Sequence, residues 1–351
     1  MKIYKNIFKD IISMENLLLG WDEFKKGKRE KLDVQKFELN LENNLFTLHE
    51  ELKNKKYKHN KYIGFYINDP KKRHIHKATV KDRIVHHSIH RKLYSIFNPA
   101  FISTLYSSRK GKGIHRAVIK LNEMLRTVNQ NYNKCFVLKC DIKKFFPTID
   151  HKILMKIIAE RIKDKNALWL IKEIVKSFES DFTTKMDKKG VPIGNLTSQI
   201  LVNIYMNELD QFIKQKLKVK YYVRYADDFI IVHYDQNYLS DLKNKIDLFL
   251  TKELKLSLHP DKIFIRKYHQ GVDYLGYVIL PKAIILRTKT KKRIFRKIKQ
   301  KIKEFKQGEI DEKTLMRSFN SYLGVLSHAD SYKLEQELRH KIWEWLKNPE
   351  L

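Results

Sequence analysis

Two hydrophobic periods alternate along the chain. Over residues 1–59 the apolar positions recur at helical spacing, with Leu41, Leu45, Leu48 and Leu52 on one stripe and Gly27–Lys28 as a break. Residues 60–80, which include KYIGFYINDPKKRHIHKATV, are strand-like and basic, with Asp69–Pro70 as a turn. From Lys81 to Phe97 the spacing is helical again. Cys135 to Asp141 (CFVLKCD) is a β-rich run that ends on an acid, and 151–178 returns to the helical period. Residues 186–194 are rich in turn formers, and a long helix is predicted from about Leu196 to Leu217. Next come YYVRY and FIIVHY, two β-rich runs on either side of a tight acidic turn, which predict a hairpin. A helix over about 239–253 and short strands around 262–267 and 272–279 complete this part. Beyond Pro281, Ile294, Ile298, Ile302 and Phe305 form an apolar stripe at helical spacing. With only 11 Gly and 7 Pro in 351 residues, loops should be short and the fold helix-rich.

Charge changes this picture more than size does. Lys and Arg number 72 against 40 Asp and Glu, a net charge of +32. Such a surface repels itself unless phosphates neutralise it, so nucleic acid is the first candidate partner and an anionic membrane the second. Between Lys282 and Lys306, 12 of 25 residues are Lys or Arg and only Glu304 is acidic, so the last stripe belongs to a basic amphipathic helix. No apolar run approaches the roughly 18 residues of a membrane span. The N-terminus lacks a signal-peptide pattern, so a soluble intracellular protein is expected. The two cysteines, Cys135 and Cys140, fall on opposite sides of one strand and read as buried free thiols.

The chemistry centres on the hairpin. Strands that are apolar on both sides should bury it in a sheet, leaving Asp227 and Asp228 at the tip with only the small Ala226 beside them. An acidic turn by itself is ordinary turn chemistry, since Asp favours turns through local hydrogen bonds. Two adjacent carboxylates at a buried sheet edge, however, repel each other unless a cation lies between them. Asp141 ends a second apolar strand. Brought side by side, the two strand ends would offer oxygen ligands to a pair of Mg²⁺ ions, as nucleotidyl transfer requires. Asp150 fits the N-cap of the helix that follows it. His74, His76, His86, His87 and His90 have no Cys or carboxylate set to complete a zinc site. Surface exposure or contact with template phosphates is expected of them instead.

At these residues the sequence resembles the reverse transcriptases. DIKKFFPTI is similar to their motif A, PIGNLTSQ and the following helix to motif B, and YADD to motif C. KLSLHPDKI is similar to motif D, and Tyr274-Leu275-Gly276-Tyr277 to the primer grip, motif E. RHIHKATVKDRIVHHSI resembles the fingers motifs of bacterial group II intron-like enzymes, and together these cover roughly residues 60–280. GNLTSQ and the late SYLG…HADSYKL resemble the diversity-generating retroelement subgroup. The resemblance implies an α+β right-hand polymerase with an antiparallel palm sheet and a helical thumb. It divides the chain into a helical N-terminal extension (1–59), fingers and palm (60–280) and a basic thumb (281–351).

By matching position, the resemblance makes Asp141, Asp227 and Asp228 the metal carboxylates, with the Ile142 carbonyl as a further ligand to two Mg²⁺ ions (Mn²⁺ as a possible substitute). Asp227 is expected to be indispensable and Asp228 more tolerant. Lys262 matches the motif D lysine that protonates pyrophosphate, and a solvated lysine is the plain alternative. Phe146 matches the steric gate against a 2′-hydroxyl, with Phe145 as its core neighbour. Arg73 matches the fingers arginine on the triphosphate, and Arg83 would support it unless Asp82 is its structural partner. Ser198 and Gln199 fall on the first turns of the motif B helix. Where most relatives carry Gln-Gly this chain has Ile193–Gly194, and isoleucine cannot hydrogen-bond to position a nucleotide. The implied function is RNA-directed DNA synthesis, with loose template reading in a diversity-generating retroelement. The implied partners are a template RNA, the RNA–DNA duplex, dNTPs and a small basic accessory oligomer, in a bacterial cytoplasm and away from membranes. A defence-associated or retron-type enzyme with the same chemistry is one alternative, and a non-catalytic RNA-binding scaffold is another.

Overall fold

The computed structural model describes residues 2–69, 71–180, 184 and 188–348. Pro70 of the predicted Asp69–Pro70 turn and positions 186 and 187 of the turn-rich loop lie outside the described residues.

Helices α1 (Phe8–Ile12), α2 (Met14–Lys25), α3 (Leu32–Glu38) and α4 (Leu41–Lys53) account for the helical period of the first 59 residues. Leu45, Leu48 and Leu52 of the predicted stripe are buried in one cluster with Trp21 and Phe24, while Leu41 is only partly covered. Strands β1 (Ile63–Ile67) and β2 (Arg73–Lys77) form a separate antiparallel hairpin, exposed along β1 and partly covered over Ile75, His76 and Lys77 of β2. Helix α5 (Val80–Phe97) follows, capped by the Thr79 hydroxyl, which accepts from the Asp82 amide. Helix α6 (Ile114–Tyr132) fills a stretch to which the hydrophobic pattern assigned no element.

The central sheet is built from β3 (Phe136–Asp141), β4 (Tyr222–Tyr225), β5 (Asp228–His233) and β6 (Phe264–Lys267), all antiparallel, in the order β4-β5-β3-β6. Both faces are apolar because helices cover both. Leu138, Cys140, Tyr222, Phe229 and Ile231 join the cluster with α8 (His151–Arg161), α10 (Leu196–Gln211) and α11 (Gln236–Leu254). Cys135, Val137, Val223, Ile230 and Val232 join a second cluster with α6. Cys135 and Cys140 therefore lie on opposite faces as buried free thiols, and burial holds both thiols neutral.

The predicted 151–178 helix is two. After α8 the Asp164 carboxylate accepts from the Asn166 and Ala167 amides and starts α9 (Lys165–Lys176) anew. Asp150 caps α8 in the same way, as expected. A one-turn helix, α7 (Phe145–Thr148), links β3 to α8. Helix α10 stops at Gln211 and widens into a π turn to Lys216, short of the predicted Leu217.

A second sheet of β7 (Val272–Tyr274), β8 (Tyr277–Ile279) and β9 (Ile284–Leu286) leads into α12 (Thr288–Lys306), α13 (Glu312–Leu326) and α14 (Tyr332–Lys347). The division expected at 280/281 thus falls inside a sheet, because β9 pairs with β8. The stripe of α12 is buried through Ile294, Ile298 and Ile302, and its basic face is left outside. Lys297 and Arg296 reach across to Asp69 at the tip of the β1–β2 hairpin, at 3.1 and 3.6 Å. Among the described residues no helix is long and apolar enough to cross a membrane.

Candidate active site on the central sheet

The last residue of β3 lies beside the first of β5. Asp141 and Asp228 are direct partners across the antiparallel pair, and Asp227 occupies the turn between β4 and β5. The pairing follows from the sequence: the β3 run ends on its acid and the β5 run begins on its own, so antiparallel burial of the two runs leaves both acids at the same rim.

Lysines serve these carboxylates. Lys262 Nζ donates to Asp141 Oδ1 at 2.9 Å. Lys139 Nζ lies 3.3 Å from Asp228 Oδ2 and donates to the Asp273 carbonyl at 2.8 Å. Burial, with Asp141 and Asp227 adding repulsion against the pull of Lys139, pushes the Asp228 carboxyl up to about 7. Burial and then Asp141 also raise Asp227, while Lys262 and Arg73 pull it down. The Arg73 charge therefore acts on this site from β2.

Among the described residues no three His, Cys, Asp or Glu side chains are gathered closely enough to form a ready cage. The donor set nonetheless suits a hard cation. It consists of carboxylate oxygens, and Asp228 Oδ1 is buried with no hydrogen-bond partner.

The neighbouring chain explains how these groups are held. Asp141 O accepts from the His259 amide at 2.8 Å, and the Lys143 amide donates to Ser257 O at 2.9 Å. These bonds bring the short Pro260–Lys262 helical turn to the strand end, and Lys262 with it. Ile142 is buried and bridged to Leu258. Phe146 is partly buried, its ring edge-on to the fully buried Phe145 at 5.5 Å between centroids.

Gly194 has φ +117°, and a Cβ there would stand 2.9 Å from Ile75 Cγ2, so only glycine fits. The Ile193 carbonyl accepts from the His76 amide at 3.0 Å, which ties β2 to the loop before α10. Gln199 is exposed on the first turn of α10, and Ser198 is buried with its hydroxyl unpaired.

Tyr274 and Tyr277 are buried on either side of a two-residue turn in which Leu275 (φ +49°) and Gly276 (φ +93°) are both left-handed. That backbone suits a tight hairpin. The Tyr277 hydroxyl donates to Val325 O on α13 at 3.0 Å.

Two sequence expectations are corrected. Arg83 is not brought to the carboxylates. Its guanidinium donates to Asp33 Oδ2 at 2.9 Å and lies over the Phe24 ring, facing the N-terminal helices. Asp82 is not its partner, because it takes bonds from Tyr57, Asn60 and Thr79. His86 is neither exposed nor placed to touch phosphate. It is 1% exposed, with Nε2 3.0 Å from His59 Nε2 and Nδ1 3.3 Å from the Thr197 hydroxyl.

Sequence reasoning also passed over Lys139, Ser107, Asn203, Asp210 and Arg224. For Lys139 and Arg224 there was a signal. A charged residue amid a buried apolar strand must have a partner.

The profile of the family described as reverse transcriptase (RNA-dependent DNA polymerase) matches residues 55–279. The chain is 25% identical over 277 residues to the group II intron-encoded protein LtrA of Lactococcus lactis, covering 60% of this chain and 45% of that protein. It is 32% identical over 216 residues to the retron Ec73 reverse transcriptase of Escherichia coli, covering 57% of this chain and 63% of the relative. Protein YkfC of Escherichia coli matches at 25% over 236 residues, with 58% and 62% covered. The chain thus spans less than two thirds of the length of these relatives. Among solved structures, apo telomerase from Candida tropicalis, truncated from its C-terminal domain, superposes with a TM-score of 0.50 at 14% identity. It covers 70% of this chain and 60% of that one, a likeness of fold alone. The fold is the α+β right hand of fingers, palm and thumb, and the chain belongs to the reverse transcriptase family.

Proposed function

We propose that the protein is an RNA-directed DNA polymerase, adding dNTPs to a primer 3′ end on an RNA template. The observation that carries this reading is the pairing of Asp141 with Asp228 across β3 and β5, with Asp227 in the adjoining turn. Asp141, Asp227, Asp228 and the Ile142 carbonyl would hold two Mg²⁺ ions, for which Mn²⁺ could substitute. When bound, such ions activate a 3′-hydroxyl and stabilise the leaving pyrophosphate. The chain's own groups do the rest. Arg73 offers a planar charged fork to the triphosphate, Phe146 closes the space of a 2′-hydroxyl, and Lys262 gives a proton to the pyrophosphate oxygen as the α–β bond breaks. Tyr274, Leu275, Gly276 and Tyr277 support the primer end. The boundaries are 1–59 for the extension, 60–280 for fingers and palm and 281–351 for the thumb, with β9 bridging the last two.

For the finer role, we favour error-prone cDNA synthesis in a diversity-generating retroelement, with a structured template RNA and a small basic accessory oligomer. Ile193 supports this, because its side chain offers no hydrogen bond beside the nucleotide. The retron relative keeps a retron-type or defence role as the second reading.

The test is primer extension on a defined RNA with Mg²⁺ and dNTPs, followed by sequencing of the cDNA. Asp227→Asn should lower incorporation by at least about 10³-fold, roughly 4 kcal/mol in the barrier. Unchanged incorporation would instead favour an RNA-binding scaffold. Errors concentrated at template adenines support the retroelement role, and uniform low error at all four bases would exclude it.

A further inference from the structure

The turn that carries Asp227 is held by residues outside the carboxylate set. Ala226 adopts φ +55°, a left-handed conformation that a residue with a Cβ keeps only when its surroundings enforce it. Both of its backbone polar groups are clamped. The Ala226 amide donates to Ser107 Oγ at 2.9 Å, and the Ala226 carbonyl accepts from Arg224 Nη1 at 2.9 Å.

Each clamp is anchored on α10. The Ser107 hydroxyl donates to Asn203 Oδ1 at 3.2 Å, and Asn203 Nδ2 returns a bond to Ser107 O at 3.1 Å. The fully buried Arg224 donates through Nε and Nη2 to the two oxygens of the fully buried Asp210, at 2.7 and 2.5 Å. The Tyr222 hydroxyl also donates to Asp210, at 2.7 Å. Arginine suits this place because two of its nitrogens satisfy the carboxylate while the third remains for the turn. The single ammonium of a lysine has no such fixed fork. Asn203 and Asp210 are seven residues apart, two helical turns, so they share one face of α10. The same helix begins at the Gly194 loop and carries Gln199 on its first turn.

We propose that Ser107, Asn203, Asp210 and Arg224 are positioning residues. They fix the Ala226–Asp227 turn to α10 and so set where the Asp227 carboxylate stands relative to Asp141. This rests on the reading of Asp227 as a metal carboxylate. The helix that opens beside the nucleotide and the turn that holds the metals then move as one body, with no loop between them to absorb a shift.

The test uses the full chain with Ser107→Ala, Ser107→Thr and Arg224→Lys. Ser107→Ala removes the acceptor for the Ala226 amide together with the hydroxyl's own bond to Asn203 Oδ1, and leaves the Asn203 bond to the Ser107 carbonyl in place. It should speed hydrogen exchange in the Tyr225–Phe229 segment and weaken Mn²⁺ binding, read by electron paramagnetic resonance of the free ion without substrate. It should also lower kcat by about 10- to 100-fold, with KM for primer–template unchanged. Ser107→Thr keeps the hydroxyl and should restore all of these. Arg224→Lys, if folded, should behave like Ser107→Ala. If it fails to fold, the serine variants decide alone. Wild-type exchange, Mn²⁺ affinity and kcat in Ser107→Ala would overturn the proposal. Asp227→Asn is the control. If it loses Mn²⁺ binding while Ser107→Ala does not, the positioning idea fails and the carboxylate reading stands. If Asp227→Asn binds Mn²⁺ and works normally, the carboxylate reading itself fails.

Discussion

Lys262 Nζ lies 2.9 Å from Asp141 Oδ1, although 121 residues separate the two in sequence. The lysine therefore stands at the carboxylate end of β3. Two roles fit that position, a proton donor to pyrophosphate or a counter-ion for the carboxylate.

Lys262→Ala distinguishes them. As a general acid, Lys262 should contribute about 10²-fold or more to incorporation. The deficit should shrink with dNTP analogues whose bridging group makes the pyrophosphate a weaker base. A plain counter-ion predicts an equal deficit with every leaving group and an altered Mg²⁺ requirement instead. Single-turnover rates with two such analogues settle the point.

Phe146 stands half-buried and edge-on to Phe145. Phe146→Ala should admit ribonucleotides, lowering discrimination against them by about 10- to 100-fold, or roughly 1–3 kcal/mol. Incorporation of dNTPs should change little. Competition between rNTP and dNTP in primer extension measures it, and unchanged discrimination would return Phe146 to a packing role.

Burial pushes the His86 imidazole down to about 3, so the ring is neutral in the folded protein. The unfolded chain binds this proton near pH 6.5, earlier than the folded one. The contribution of His86 to stability is therefore full above about pH 6.5 and is lost as pH falls toward 3, by roughly 1.4 kcal/mol per pH unit for one proton. The raised Asp228 carboxyl acts in the opposite sense: its contribution fades as pH rises from about 4 through about 7. Comparing wild type with His86→Gln removes this second effect, because both carry Asp228. Urea midpoints at pH 7.5 and 5.0 should fall less in the variant, by about 2 kcal/mol of stability over the acid step. Parallel declines would show that His86 does not titrate in this way.

The sequence by itself determined whatever is local. A hairpin joins neighbouring segments, so its two apolar runs and the acidic tip between them were legible without knowing anything farther away. The same holds for the Asp150 cap, which serves amides two and three residues on, and for the amphipathic stripe of α12. The single helix expected over 151–178 failed for an equally local reason. Asp164 can cap a new helix, and periodicity does not register that. Tertiary structure alone decided the partners. Arg83 had an acid beside it in sequence and took Asp33, 50 residues away. Arg224 found Asp210 on α10, and Ala226 found Ser107, 119 residues earlier. Hydrophobic period tells which face of a strand or helix is buried. It does not tell what that face is buried against, and a buried charge or backbone group is stabilised only by the particular partner that the packed fold brings to it.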